Sequence, residues 1–183
     1  MKDYTNGTIC QYQQILVYVD GGCEPRNPGG VATGAWAAFD QQGHVLAEDA
    51  KVVADGGPLA TNNYAEYCAL GLALRWLHDQ KFCGSMVVKS DSKLIVHQVL
   101  KEWKCNKEHL RRLRQRIWEL LRAMGLRALG VKSLPCIKTD TGVCILVWVP
   151  RRENKYADSL GRKASKAHRK LRLLRNCKRG KQS

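Results

Sequence analysis

The chain has eight cysteines but no Cys-x-x-Cys pair, and none of its histidines stands at zinc-finger spacing from them. The common zinc frameworks are therefore excluded. No stretch approaches the roughly 20 apolar residues that a membrane span needs. The opening residues, MKDYTNGTICQYQQ, lack the apolar run of a secretory leader. The thiols accordingly read as reduced, small core hydrophobes, and the compartment as cytoplasmic. Acidic residues are also scarce, 16 against 31 Lys and Arg, and none follows Asp158. The stretch Ser159 to Ser183 holds ten Lys or Arg residues, so of the formal net charge of +15 only about +5 belongs to the rest of the chain. There is no internal repeat, and the basic C-terminus is the one biased segment.

What is present is enough for a core. The 183 residues are 44% hydrophobic, which argues against disorder and suits one domain with a tail. The excess positive charge makes a polyanion the first partner to consider. The segments divide as an N-terminal extension over 1–14, a folded domain over 15–167 and a basic tail over 168–183.

Ile15 to Cys23 reads as a strand, followed by two more over Gly30 to Phe39 and His44 to Ala54, with DQQG as the turn between them. Such short connections predict antiparallel pairing. Asn62 to Gln80 shows helical spacing in Ala65, Ala69, Leu72, Ala73, Trp76 and Leu77, with capping side chains in TNN. A short strand, Ser85 to Lys89, precedes a helix opening at Asp91, and Glu108 to Met124 is amphipathic. Gly125 to Gly142 reads as a loop or hairpin. Val143 to Val149 is an apolar strand ended by Pro150, and a last helix starts near Glu153 and runs into the basic tail. This order predicts an α/β fold with a mixed sheet.

The loop in YVDGGCEPRNPGG is not a phosphate cradle. No Lys-Ser or Lys-Thr pair follows it, and it leads into a strand rather than a helix. Its glycines read instead as clearing space beside Asp20 for a nucleic-acid backbone. Asp20, Glu66, Asp91 and Asp158 all lie at element ends, where loops and helix N-termini converge. Singly, each is explained as a turn, cap or helix-dipole residue. Together they would repel unless a cation compensates. Hard divalent ions take oxygen ligands, and a pair of them serves in-line phosphodiester displacement.

Four fragments in order, YVDGGC…NPGG, TNNYAEYCAL, KSDSKLIV and VPRRENKYADSLG, resemble a type 1 ribonuclease H of the archaeal and plant-like branch, over about Ile15 to Ala167. The resemblance implies a ribonuclease H-like fold, a five-stranded mixed sheet with three antiparallel strands plus parallel ones, flanked by helices. It implies an endonuclease that cuts the RNA strand of RNA/DNA hybrids by a two-metal mechanism, leaving 5′-phosphate and 3′-hydroxyl ends. Two Mg2+ ions, with Mn2+ as substitute, would be held by Asp20, Glu66, Asp91 and Asp158. Gly21, Cys23, Asn27, Asn62, Asn63, Ser92, Lys93 and Arg152 match hybrid-contacting positions, and Thr61 with Asn27 matches a DNA-phosphate pocket. The expected partner is the hybrid alone, with a monomeric protein, no small-molecule cofactor and no membrane. The alternative is a catalytically idle nucleic-acid-binding module on the same fold.

The chain departs from the family pattern in three ways. There is no room for a basic handle helix between Glu102 and Leu110. A mobile histidine before the last aspartate is missing, leaving Arg151 and Arg152 there. No hybrid-binding domain precedes Ile15. The basic tail is expected to track phosphates in place of the handle. The arginines of LRRLRQR are read as a solvated face. Trp103 is read either as a DNA-channel aromatic or as core, and Trp36, Trp76, Trp118 and Trp148 as core.

Overall fold

The computed structural model describes residues 9, 12–130 and 142–179. Six strands form one sheet in the order β3-β2-β1-β4-β6-β5. These are β1 (Gln14–Glu24), β2 (Val31–Phe39), β3 (Val45–Asp55), β4 (Ser85–Ser90), β5 (Arg127–Gly130) and β6 (Val143–Trp148). β1, β2 and β3 pair antiparallel, as their short connections require, while β1–β4, β4–β6 and β5–β6 are parallel. Helices α1 (Asn62–Asp79), α2 (Lys93–Val99), α3 (Glu108–Ala123) and α4 (Lys155–Arg179) flank it, with a 3-10 turn over Arg151–Glu153 before α4.

The alternation along β1 turns Ile15, Val17 and Val19 into the main core, all at most 1% exposed, against α1. β2 is almost wholly buried because α1 and α4 both pack on it. Its small residues permit this approach, since a Cβ on Gly34 would come within 2.9 Å of the Ala69 nitrogen. α1 starts where Thr61 caps it, its Oγ1 accepting from the Tyr64 N–H at 3.1 Å.

The sheet has one strand more than the five expected. β5 lies in the segment read as loop or hairpin, and 131–141 fall outside the described residues. Four residues are too few to display a period, and β5 exists because β6 offers it a parallel edge.

Three expectations about side chains are corrected. Trp148 is not core but 41% exposed, because it ends β6 beyond the packed layer. Trp103 is 47% exposed and stacks on His97 with ring centroids 4.4 Å apart, which removes its core reading. Arg114 is not on a solvated face; its guanidinium lies 4.6 Å from the Trp118 ring centroid and donates to the Gln98 carbonyl. Trp36 is buried, and Trp76 and Trp118 pack against the core as read.

α4 continues through the segment taken as a tail. His168 and Arg172 pair with Asp55, and Arg169 with Glu24, so this part of the helix is tied to the ends of β3 and β1.

Candidate active site

The parallel register of β1 and β4 sets Val19 beside Ser90, so the next residues, Asp20 and Asp91, emerge together at one end of the sheet. Glu66 reaches them from the second turn of α1. Its approach depends on Gly21, where a Cβ would overlap the Glu66 backbone nitrogen. The space at Gly21 is thus taken by a helix rather than by nucleic acid. At Gly22 a Cβ would meet nothing within 4 Å, so the clearance expected of this loop is found there. On the far side α4 passes Asp20 at Gly161, where a Cβ would make only ordinary contact, 3.9 Å from Asp20 Oδ2.

Carboxylate oxygens of Asp20, Glu66 and Asp91 lie within 4.8 Å of one another. Asp20 and Glu66 are buried, and together with Asp158 the three line a cleft of about 250 Å³. Burial pushes Asp20 up to about 7, with repulsion from Asp91 and Asp158 adding to it and Arg151 opposing. Glu66 is raised well above the ordinary range, first by burial and then by Asp20 and Asp91. One of its oxygens, Oε2, is fully enclosed with no hydrogen-bond partner. A crowded set of hard oxygen donors with an orphaned carboxylate oxygen fits a divalent cation such as Mg2+ or Mn2+.

Asp158 is placed differently. Its Oδ1 accepts from Arg151 at 2.9 Å, and its Oδ2 forms an ion pair with Arg162 Nε at 3.0 Å. The bond to Asp158 holds the Arg151 guanidinium more firmly protonated. Asn154 is completely buried and bonds to Asp91 and to Val19.

Sequence reasoning missed Asn154 and Arg162. Asn154 lay within the quoted VPRRENKYADSLG string, and Arg162 stands four residues past Asp158, a helical neighbour by spacing alone.

The expected substrate positions fall into groups. Asn27 Oδ1 accepts from the Asn62 N–H at 3.2 Å, which brings Asn27, Thr61 and Asn62 together, with Asn63 in the first turn of the same helix. Cys23 lines the cleft, but its buried Sγ is committed to the carbonyls of Ala60 and Arg26, both at 3.1 Å, and ties the loop to the start of α1. Ser92 stands at the N-cap position of α2 with no capping bond from its side chain, and exposed Lys93 places Nζ 4.5 Å from the Trp148 ring centroid. Arg152 is exposed; it is Arg151 that reaches the acids.

The family model for RNase H matches residues 12–166. The chain belongs to the ribonuclease H family. Among solved structures, RNase H1 from the halophilic archaeon Halobacterium salinarum NRC-1 is 30% identical, with a TM-score of 0.65 over 82% of this chain and 96% of that one. The N-terminal RNase H domain of rv2228c from Mycobacterium tuberculosis is 27% identical, with a TM-score of 0.69 over 86% and 97%. LC11-RNase H1, isolated from compost and solved in complex with an RNA/DNA hybrid, is 27% identical, with a TM-score of 0.66 over 84% and 98%. The chain is thus a type 1 ribonuclease H, a hydrolase with a carboxylate site suited to divalent metal. Among the described residues no helix is long and apolar enough to cross a membrane.

Proposed function

We propose that this ribonuclease H cuts the RNA strand of RNA/DNA hybrids by a two-metal-ion displacement, leaving 5′-phosphate and 3′-hydroxyl ends. The observation that carries the reading is the convergence of Asp20, Glu66 and Asp91 within 4.8 Å, with Asp158 on the same cleft. The hybrid bound to LC11-RNase H1 supports the substrate class. Asp20 would be shared between two ions, Glu66 and Asp91 would complete the leaving-group side, and Asp158 the side of the attacking water. Bound Mg2+ or Mn2+ would lower the pKa of that water and neutralise charge on the leaving oxygen.

The chain's own groups do the rest. Asn27, Thr61 and Asn62 offer polar groups for the DNA strand near the first turn of α1. Asn63, Ser92 and Lys93 are proposed to meet the hybrid beside the acids, where donors to the 2′-hydroxyl select RNA. Gly21 serves the site by seating α1, and Cys23 by fixing the loop. Arg152 is proposed to contact backbone phosphate. The catalytic unit is proposed to span 15–167. Along α4, with His168, Arg169 and Arg172 paired to acids, exposed Lys163 and Lys166 at the end of that unit and Lys170 beyond it carry the proposed phosphate track. Cytoplasmic placement belongs to the same proposal and accords with the free thiols of Cys23, Cys68, Cys83, Cys105 and Cys144.

The test uses a hybrid labelled on its RNA strand, with Mg2+ and then with EDTA, beside Asp91→Asn. Metal-dependent cleavage by the wild type alone is expected. Retained binding with no cleavage in either protein would favour the idle module instead.

A further inference from the structure

Asp158 stands apart from the other three carboxylates. Those three turn their oxygens toward one another, whereas both oxygens of Asp158 are engaged by guanidinium groups, Arg151 at 2.9 Å and Arg162 at 3.0 Å. The two arginines arrive from different elements, Arg151 from the turn before α4 and Arg162 from the next turn of α4 itself. The Asp158 side chain is 18% exposed, but the arginines are 69% and 60% exposed. An exposed pair of this kind is weak and exchangeable. Both arginines also line the cleft, where a phosphate would have to enter. A guanidinium fork fits phosphate oxygens as well as it fits a carboxylate.

We propose that Arg162 is a positioning residue which, with Arg151, keeps Asp158 from binding a cation until a nucleic-acid phosphate enters the cleft and draws the guanidinia onto itself. The two cation positions then fill in order. The position formed by Asp20, Glu66 and Asp91 is available in the chain alone, and the position that needs Asp158 opens with substrate. Because coupling is reciprocal, a bound hybrid strengthens the second cation and the second cation strengthens hybrid binding. This rests on the two-ion reading above and adds the order of filling and the residues that impose it.

Mn2+ binding, read from the EPR signal of the free ion, tests the proposal. The wild type, Arg162→Ala and Arg162→Lys are each titrated alone and with a hybrid whose RNA strand is 2′-O-methylated to prevent cleavage. In the wild type alone the second ion should bind more weakly than the first, and the hybrid should strengthen it by a factor on the order of 5 to 150, the usual range of such couplings. Arg162→Ala should narrow that gap by strengthening the second ion only. The hybrid should narrow it in the wild type and add little in Arg162→Ala, and Arg162→Lys, which keeps the charge but not the fork, should fall between. A residue that merely stabilises α4 would shift the unfolding midpoint and leave the gap alone. Equal affinities in the wild type alone, or a gap unchanged by Arg162→Ala, would overturn the proposal. A wild type that cleaves hybrids yet binds a single Mn2+ even with hybrid present would instead overturn the two-ion reading beneath it.

Discussion

Asn154 donates to Asp91 Oδ1 at 2.7 Å and to the Val19 carbonyl at 2.9 Å through one amide nitrogen. The residue is completely buried, so this nitrogen joins the ends of β1 and β4 to the approach of α4. Asn154→Ala should leave the Val19 carbonyl unsatisfied and free Asp91 to rotate. A loss of about 1–3 kcal/mol in urea unfolding is expected, the usual cost of an orphaned buried polar group. Cleavage should fall further than stability alone explains. Asn154→Asp should be worse, because it adds a fifth carboxylate beside the cluster.

Asp20 titrates in the folded chain at about 7, far above its ordinary value, because it is buried among other acids. The folded state therefore holds a proton that the unfolded chain releases near pH 4. In EDTA this contribution to stability is fully present below pH 4 and is lost as pH rises through 7. Divalent cations compete with that proton, so their affinity should climb with pH and level off above 7. Melting curves in EDTA and in Mg2+ between pH 4 and 8 should converge at the acid end and separate at the alkaline end. Parallel curves across the whole range would contradict the shift.

Neutralising one of the crowded carboxylates should trade activity for stability. Asp20→Asn and Asp91→Asn are expected to abolish cleavage while raising the melting temperature of the metal-free protein at pH 8. Each 1 kcal/mol of relieved repulsion corresponds to about 2–4 °C for a chain of this size. A variant that melts lower than the wild type in EDTA would show that the cluster is not a source of strain.

The adjacent glycines should respond in opposite ways. Gly21→Ala places a methyl group on the α1 backbone, and overpacking of that kind costs roughly 1–3 kcal/mol or more. Gly22→Ala meets nothing within 4 Å, so it should fold normally and lose hybrid affinity because its methyl enters the cleft. Calorimetry and hybrid binding on the two variants separate these outcomes.

Replacing Lys163, Lys166 and Lys170 by Gln should lower the slope of log affinity against log salt by nearly one for each phosphate contact removed. The ion pairs of His168, Arg169 and Arg172 are untouched, so melting should not change. An unaltered slope would remove α4 from the binding surface.

The strands and helices of this chain were legible because their periods are local properties, set by which side chains face inward along a few turns or pleats. The four carboxylates were legible as a set because like charges at four element ends make little sense without a cation. β5 was not, since a four-residue strand exists only by virtue of the neighbour it pairs with. Trp148 read as core because an apolar run does not reveal where its strand outlasts the layer covering it. Gly21 and Gly22 look alike in YVDGGC, yet one seats a helix and the other opens the cleft. The sequence by itself determined the fold family, the acids and the basic surface, because composition and spacing are written residue by residue. Only the tertiary structure decided that Asn154 braces Asp91 and reaches Val19, because those bonds join groups whose separation in space depends on the packing of α4 across the sheet.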